Sequence, residues 1–258
     1  MKFKKSILAF ILLFACMTKV NAEIITVTED SEFKVVAQTT KYYKTTSVLG
    51  NSDIMVAAEM NEVSSITVEI SEEEYRNAPT EDGISPQTYT ETSYKRLVST
   101  IWQNAYDQFK YSATLTWKNM PATRSYDIMG LGFYASVKIL GGESLKQNYC
   151  MKDGTCYTKT AGFYNYRGKN GYGAMFQLPS GELSSLSQEI QVIVAKTDPN
   201  TTVIEQVCAA DYSHAQKVIS YNLAKDFIVD SDGIYIYDVS DSYYDSMDTA
   251  KAKWTGKW

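Results

Sequence analysis

Residues 109–118 alternate strictly, with Phe109, Tyr111, Ala113, Leu115 and Trp117 apolar and Lys110, Ser112, Thr114, Thr116 and Lys118 polar. A period of two sustained over this length predicts a β-strand with one buried face. After the turn "NMPAT" the parity returns in "SYDIMGLGFYASVKIL", which places Met129, Leu131, Phe133, Ala135, Val137 and Ile139 at odd positions. A hairpin centred near Pro121 is expected to set Tyr111 beside Leu131 and Ala113 beside Met129, so that both apolar faces cover one core. Gly130 and Gly132, on the opposite face, point to a bulge or to a segment packed closely on the backbone.

Further strands are expected at "GAMFQL", "SQEIQVIVAK", "TTVIEQVCAA", "DFIVD" and "GIYIYD", separated by turn signals at Pro179-Ser180-Gly181, Asp198-Pro199-Asn200 and Ser231-Asp232-Gly233. Many short strands without a sustained helical period predict an all-β fold, an antiparallel β-sandwich of jelly-roll or Ig-like type. The last stretch is expected to hold one helical turn and a closing strand carrying Trp254.

The N-terminal third is organised differently. Lys2, Lys4 and Lys5 precede an apolar run and then Val20-Asn21-Ala22, the parts of a secretory signal peptide with cleavage expected after Ala22. The run is short of the roughly 20 residues that span a bilayer. The alternative is lipid anchoring at Cys16, in the loosely lipobox-like "LFAC". Residues 23–87 read as a small extension with strands "EIITVT" and "SSITVEI", a helical turn capped by Ser71 with Glu74, and a Pro/Gly-containing linker. Residues 88–258 are the expected sandwich domain.

Export changes the charge and the meaning of the cysteines. Removal of residues 1–22, with four lysines and no acid, takes the formal charge from −5 to −9. A net acidic chain without a basic stripe excludes nucleic acid as a natural partner, and no later segment is apolar enough to be transmembrane. Outside the cell, Cys150 and Cys156 around the turn Asp153-Gly154 are expected to form a local disulfide across a hairpin, with Tyr149 and Tyr157 just outside it. A loop this short gives only about 2 kcal/mol. Cys208 is expected to be a buried free thiol.

Catalytic signals are sparse. His214 is the single histidine, no Gly-x-Ser-x-Gly elbow accompanies it, and it reads as a polar residue at a strand end. A retaining or inverting glycosidase needs two carboxylates roughly 5–9.5 Å apart. Past the linker the glutamates are Glu91, Glu143, Glu182, Glu189 and Glu205. A hairpin at Pro199 would leave Glu189 and Glu205 about 13 Å apart at 3.3 Å per residue. The aspartates between 226 and 248 invite Ca2+, but their spacing misses the EF-hand pattern, so turns and solvated surface are expected and neither metal nor cofactor is assigned.

The strongest recognition signal is "GFYNYRGKNGYG", where Tyr164, Asn165, Tyr166, Arg167, Asn170 and Tyr172 stand among glycines. Tyrosine supplies a flat contact with a polar tip, Arg and Asn supply donors, and Gly permits close approach. The expected function is a secreted, non-catalytic extracellular binding or surface-associated protein, with an extracellular glycan or protein as its ligand. The alternative is a glycan- or cell-wall-active hydrolase, and a third reading is a β-pore-forming toxin. The Lys/Tyr/Ser/Thr-rich composition is similar to that of secreted proteins of Gram-positive bacteria.

Overall fold

The alternating segment 109–118 is a strand whose five apolar side chains are all at most 3% exposed. The computed structural model describes residues 32–48, 64–79, 90–105, 108–237 and 243–258. The expected signal peptide and the strand "EIITVT" lie outside the described residues.

The strands are β1 (Lys34–Val48), β2 (Ser64–Ile70), β3 (Thr90–Gln103), β4 (Phe109–Trp117), β5 (Tyr126–Gly132), β6 (Val137–Met151), β7 (Cys156–Lys159), β8 (Tyr164–Arg167), β9 (Gly171–Gln177), β10 (Leu183–Lys196), β11 (Glu205–Ser213), β12 (Phe227–Asp230), β13 (Gly233–Ile236) and β14 (Asp248–Thr255). Among the described residues two short helices, α1 (Glu72–Asn77) and α2 (Tyr221–Ala224), interrupt them. Ser71 caps α1 as expected, its hydroxyl accepting from the Glu74 amide at 3.1 Å.

A seven-stranded sheet in the order β2-β1-β3-β4-β10-β6-β7 packs on a five-stranded sheet in the order β14-β11-β5-β9-β8, and every pairing is antiparallel. The all-β sandwich class therefore holds. β1 pairs with β3 from Lys34↔Gln103 to Val48↔Thr90, so the large sheet takes strands from both sides of the boundary expected near residue 88.

Two expected pairings are corrected. β4 and β5 are not a hairpin: β4 pairs with β3 and β10, while β5 lies in the other sheet between β11 and β9. Their apolar faces meet across the core instead of side by side, with Tyr111 and Phe133 rings 6.0 Å apart. Likewise β10 and β11 belong to different sheets, which removes the hairpin that would have carried Glu189 and Glu205. The segment read as one run through 125–140 breaks at Phe133 so that the chain can cross from one sheet to the other.

β5 is buried on both faces. Its inner residues Met129 and Leu131 join the main core, while Ile128 joins a second cluster with Met175, Phe227, Val229 and Ile234. This cluster forms because the hairpin β12–β13 lies over the outer face, and its approach explains Gly130 and Gly132. A Cβ on Gly132 would stand 2.3 Å from the backbone oxygen of Asp230. Gly132→Ala is therefore expected to cost about 1–3 kcal/mol through overpacking, measured as a lowered urea midpoint. An unchanged midpoint would show that the hairpin gives way freely. The closing strand β14 carries Trp254 as expected, its ring 5.0 Å from Phe109. The expected helical turn before it is replaced, among the described residues, by an isolated bridge between Ala215 and Tyr244.

Candidate functional site

β7 and β8 are the edge strands of the two sheets and follow one another in sequence, so residues 160–163 bridge the sheets at one end of the sandwich. The cysteine loop closes the other end of β7. Cys150 and Cys156 are direct cross-strand partners and form the disulfide. Tyr149 and Tyr157 are the next pair, stacked with centroids 5.1 Å apart. The turn is held by the Asp153 carboxylate, which accepts from the Thr155 amide at 2.8 Å, and by Gly154 at a φ of 89°.

A groove of about 450 Å³ runs between β6, the 160–163 bridge and β8. Arg167 and Glu143 form an ion pair at 2.6 Å on its wall, and Arg167 also donates to the Ile139 carbonyl at 3.1 Å. Asn165, Phe163 and Tyr172 complete the lining that matters here. Burial, with help from the Glu143 charge, pushes the Tyr172 phenol up to about 12, so it stays a neutral donor. A second groove of about 480 Å³ adjoins the stacked Tyr149 and Tyr157, with Arg124, Gln147 and Lys159 on its walls.

The six sequence-derived residues do not share one face. β8 alternates, so Asn165 and Arg167 face the groove while Tyr164 and Tyr166 turn to the second core cluster, 5.9 and 6.2 Å from the Phe227 ring. Tyr172 reaches the groove from β9 but is only 3% exposed. Asn170 serves the backbone, its carbonyl accepting from the Phe133 amide at 2.9 Å.

A charged cluster sits inside the sandwich, far more buried than the sequence suggested. Lys95, at an inward position of β3, places Nζ 2.6 Å from Asp245 Oδ2 and 2.7 Å from Asp248 Oδ2, with all three side chains 0% exposed. The rings of Trp117 and Tyr212 flank the same Nζ at 5.4 and 5.5 Å. Asp245 also accepts from the His214 backbone amide at 2.7 Å. The His214 ring meets Asp127 at 2.8 Å, and Asp127 further accepts from the Ala215 amide and the Tyr212 hydroxyl.

Two expectations are corrected here. His214 is an internal ion-pairing group and not merely a polar strand end, because Asp127 compensates its burial. Asp245 and Asp248 are core residues, whereas Asp226 and Asp232 are exposed and Asp230 accepts from the Asp232 amide at 2.8 Å, as turn residues do. Parity carried the missed signal: Lys95 falls in phase with inward Leu97 and Ile101, and Asp248 with inward Ala250 and Ala252.

Cys208 is a buried free thiol, as expected, and burial pushes it up to about 12. Among the described residues no helix is long and apolar enough to cross a membrane.

No family model matches the chain, and no curated protein does. Among solved structures, the full-length major pilin SpaD from Corynebacterium diphtheriae aligns with 82% of this chain and 59% of its own length, at 9% identity and a TM-score of 0.31. The chain thus spans somewhat over half of that pilin's length.

Proposed function

We propose that this chain is a secreted, non-catalytic binding protein of the cell surface or surroundings, and that it recognises a glycan or other cell-envelope ligand in the groove between β6 and β8. The observation that carries the reading is the placement of Arg167, Glu143, Asn165 and Tyr172 around one open concavity, braced by the bridge between the two sheets. Such a mixture of an aromatic wall and a few polar groups suits a polyhydroxylated ligand. Glu143 is the one carboxylate among the groove's lining residues, and it is engaged by Arg167, which favours binding over two-carboxylate hydrolysis. The disulfide pins the β6–β7 hairpin, whose strand β7 leads into the 160–163 bridge that lines the groove, and such preorganisation lowers the entropic cost of association.

A glycan array and titration with peptidoglycan fragments test this reading. Arg167→Ala is expected to weaken binding to any retained ligand about tenfold or more, while leaving stability within about 0.5 kcal/mol. Tyr164→Ala and Tyr166→Ala should instead lower stability and leave affinity in place, since they face Phe227. Retention of no ligand, or equal affinity of wild type and Arg167→Ala, refutes the assignment.

A further inference from the structure

The buried cluster holds an amine against two carboxyl groups in a space closed to water, and the two carboxyls are not equivalent. Asp245 is fully engaged: Oδ2 accepts from Lys95 at 2.6 Å and Oδ1 from the His214 amide at 2.7 Å. Asp248 brings Oδ2 to 2.7 Å from the same amine as an ion pair, yet its Oδ1 has no hydrogen-bond partner. A buried carboxyl group with one oxygen left unsatisfied is costly as an anion.

From this geometry we propose that Lys95 and Asp248 condense to an intramolecular amide, with Asp245 as the proton acceptor that frees the amine. The cross-link joins β3 of the large sheet to the first residue of β14 in the small sheet.

The reaction balances within the cluster. The Lys95 ammonium gives one proton to the Asp245 carboxylate, and the neutral amine attacks Cγ of the Asp248 carboxylic acid. A C–N bond forms, the tetrahedral carbon loses its hydroxyl, and that hydroxyl leaves as water with the second nitrogen proton. The start is an ammonium, a carboxylate and a carboxylic acid; the end is an amide, a carboxylic acid and water. Net charge is zero on both sides, and nothing is oxidised or reduced.

Three features drive the reaction forward. Holding the reacting groups at contact supplies effective concentrations of about 10⁵–10⁸ M. Condensation removes a buried ion pair whose desolvation is expensive. The aromatic walls of Trp117 and Tyr212 keep solvent from reversing it. Titration behaviour agrees: burial holds Asp248 up at about 7, toward the acid form that an electrophile requires. Burial alone would lower Lys95, but the charges of Asp245 and Asp248 outweigh it and raise the ammonium, which is why a proton acceptor is needed.

The test is mass spectrometry of the folded full chain after reduction of its disulfide. The wild type is expected to weigh one water less than its sequence, and trypsin should release a branched peptide joining residues 77–96 to residues 226–251 at Lys95 and Asp248. Lys95→Arg should have the full mass. Asp245→Asn should fold but condense about 100-fold more slowly or less, the usual scale for a positioned acid–base group. A folded wild type at full mass after prolonged incubation overturns the proposal. So does a water lost only as a succinimide at Asp153-Gly154 or Asp232-Gly233, which leaves both peptides unbranched. Condensation at the wild-type rate in Asp245→Asn overturns the role given to Asp245.

Discussion

Lys95→Met is expected to destabilise the protein by about 3–5 kcal/mol, because it leaves Asp245 and Asp248 buried without their counter-charge. The methylene stem of the side chain is approximately conserved, so little of the loss comes from a cavity. Where the amide has formed, its removal adds the entropy of a long closed loop, worth about 4–5 kcal/mol for loops of this order in chain-entropy arguments. Urea unfolding measures the effect, and a midpoint within error of wild type would show that the cluster contributes nothing net. The loss should exceed that of breaking the exposed pair Lys41–Glu69, where solvent screens both charges and about 0–1 kcal/mol is the usual range.

Stability is expected to fall as pH rises from the ordinary carboxylate range to above neutrality, and three groups act in the same direction. Asp211, on the outward face of β11 beneath Gly233, is pushed up from 3.8 to about 6 by burial, partly offset by the hydroxyl of Thr249. Between those two values the folded state binds more protons than the unfolded, so stability drops as pH increases. For a shift of this size the loss is up to about 3 kcal/mol.

His214 acts at higher pH. Burial by itself lowers it, but the Asp127 charge and hydrogen bond prevail and raise it above 6.5. Its contribution is complete below 6.5 and is lost as pH climbs through the folded value. Asp248, where it remains uncondensed, adds a further loss up to about 7. Unfolding midpoints measured from pH 4 to 8 should therefore decline, and Asp211→Asn should flatten the acidic half of that decline. A midpoint that rises across this interval contradicts the assignment of Asp211 as a buried acid.

How far the site could be read from the chain differs residue by residue. The cysteine hairpin was fully legible, since a turn, two flanking cysteines and two flanking tyrosines are local features and settle their own register. β8 was legible as a cluster of tyrosines and polar groups but not as a strand: period two divides Asn165 and Arg167 from Tyr164 and Tyr166, and only the position of β12 decides which pair is covered. Lys95 and Asp248 were visible as charges in phase with apolar neighbours. Their meeting was not, because it joins positions 153 apart in a chain with no motif to pair them.

The β4–β5 correction shows where that boundary lies. Alternation established that Phe109 to Trp117 and Met129 to Leu131 bury one face each, and that these faces belong to one core. Two such strands satisfy parity equally well when hydrogen-bonded side by side or when facing each other across a sandwich, because the apolar face is the same in both. By itself the sequence determined the strands β2, β4, β5 and β9 to β14, the disulfide loop and the sandwich class, and it passed over β1, β3 and β8. The tertiary structure alone decided which strand entered which sheet, and with it the groove at the β7–β8 edge and the closure of Lys95 against Asp245 and Asp248. The physical reason is that burial is written locally in each strand, whereas backbone hydrogen bonding between strands carries almost no side-chain signature and is chosen by the packing of the whole domain.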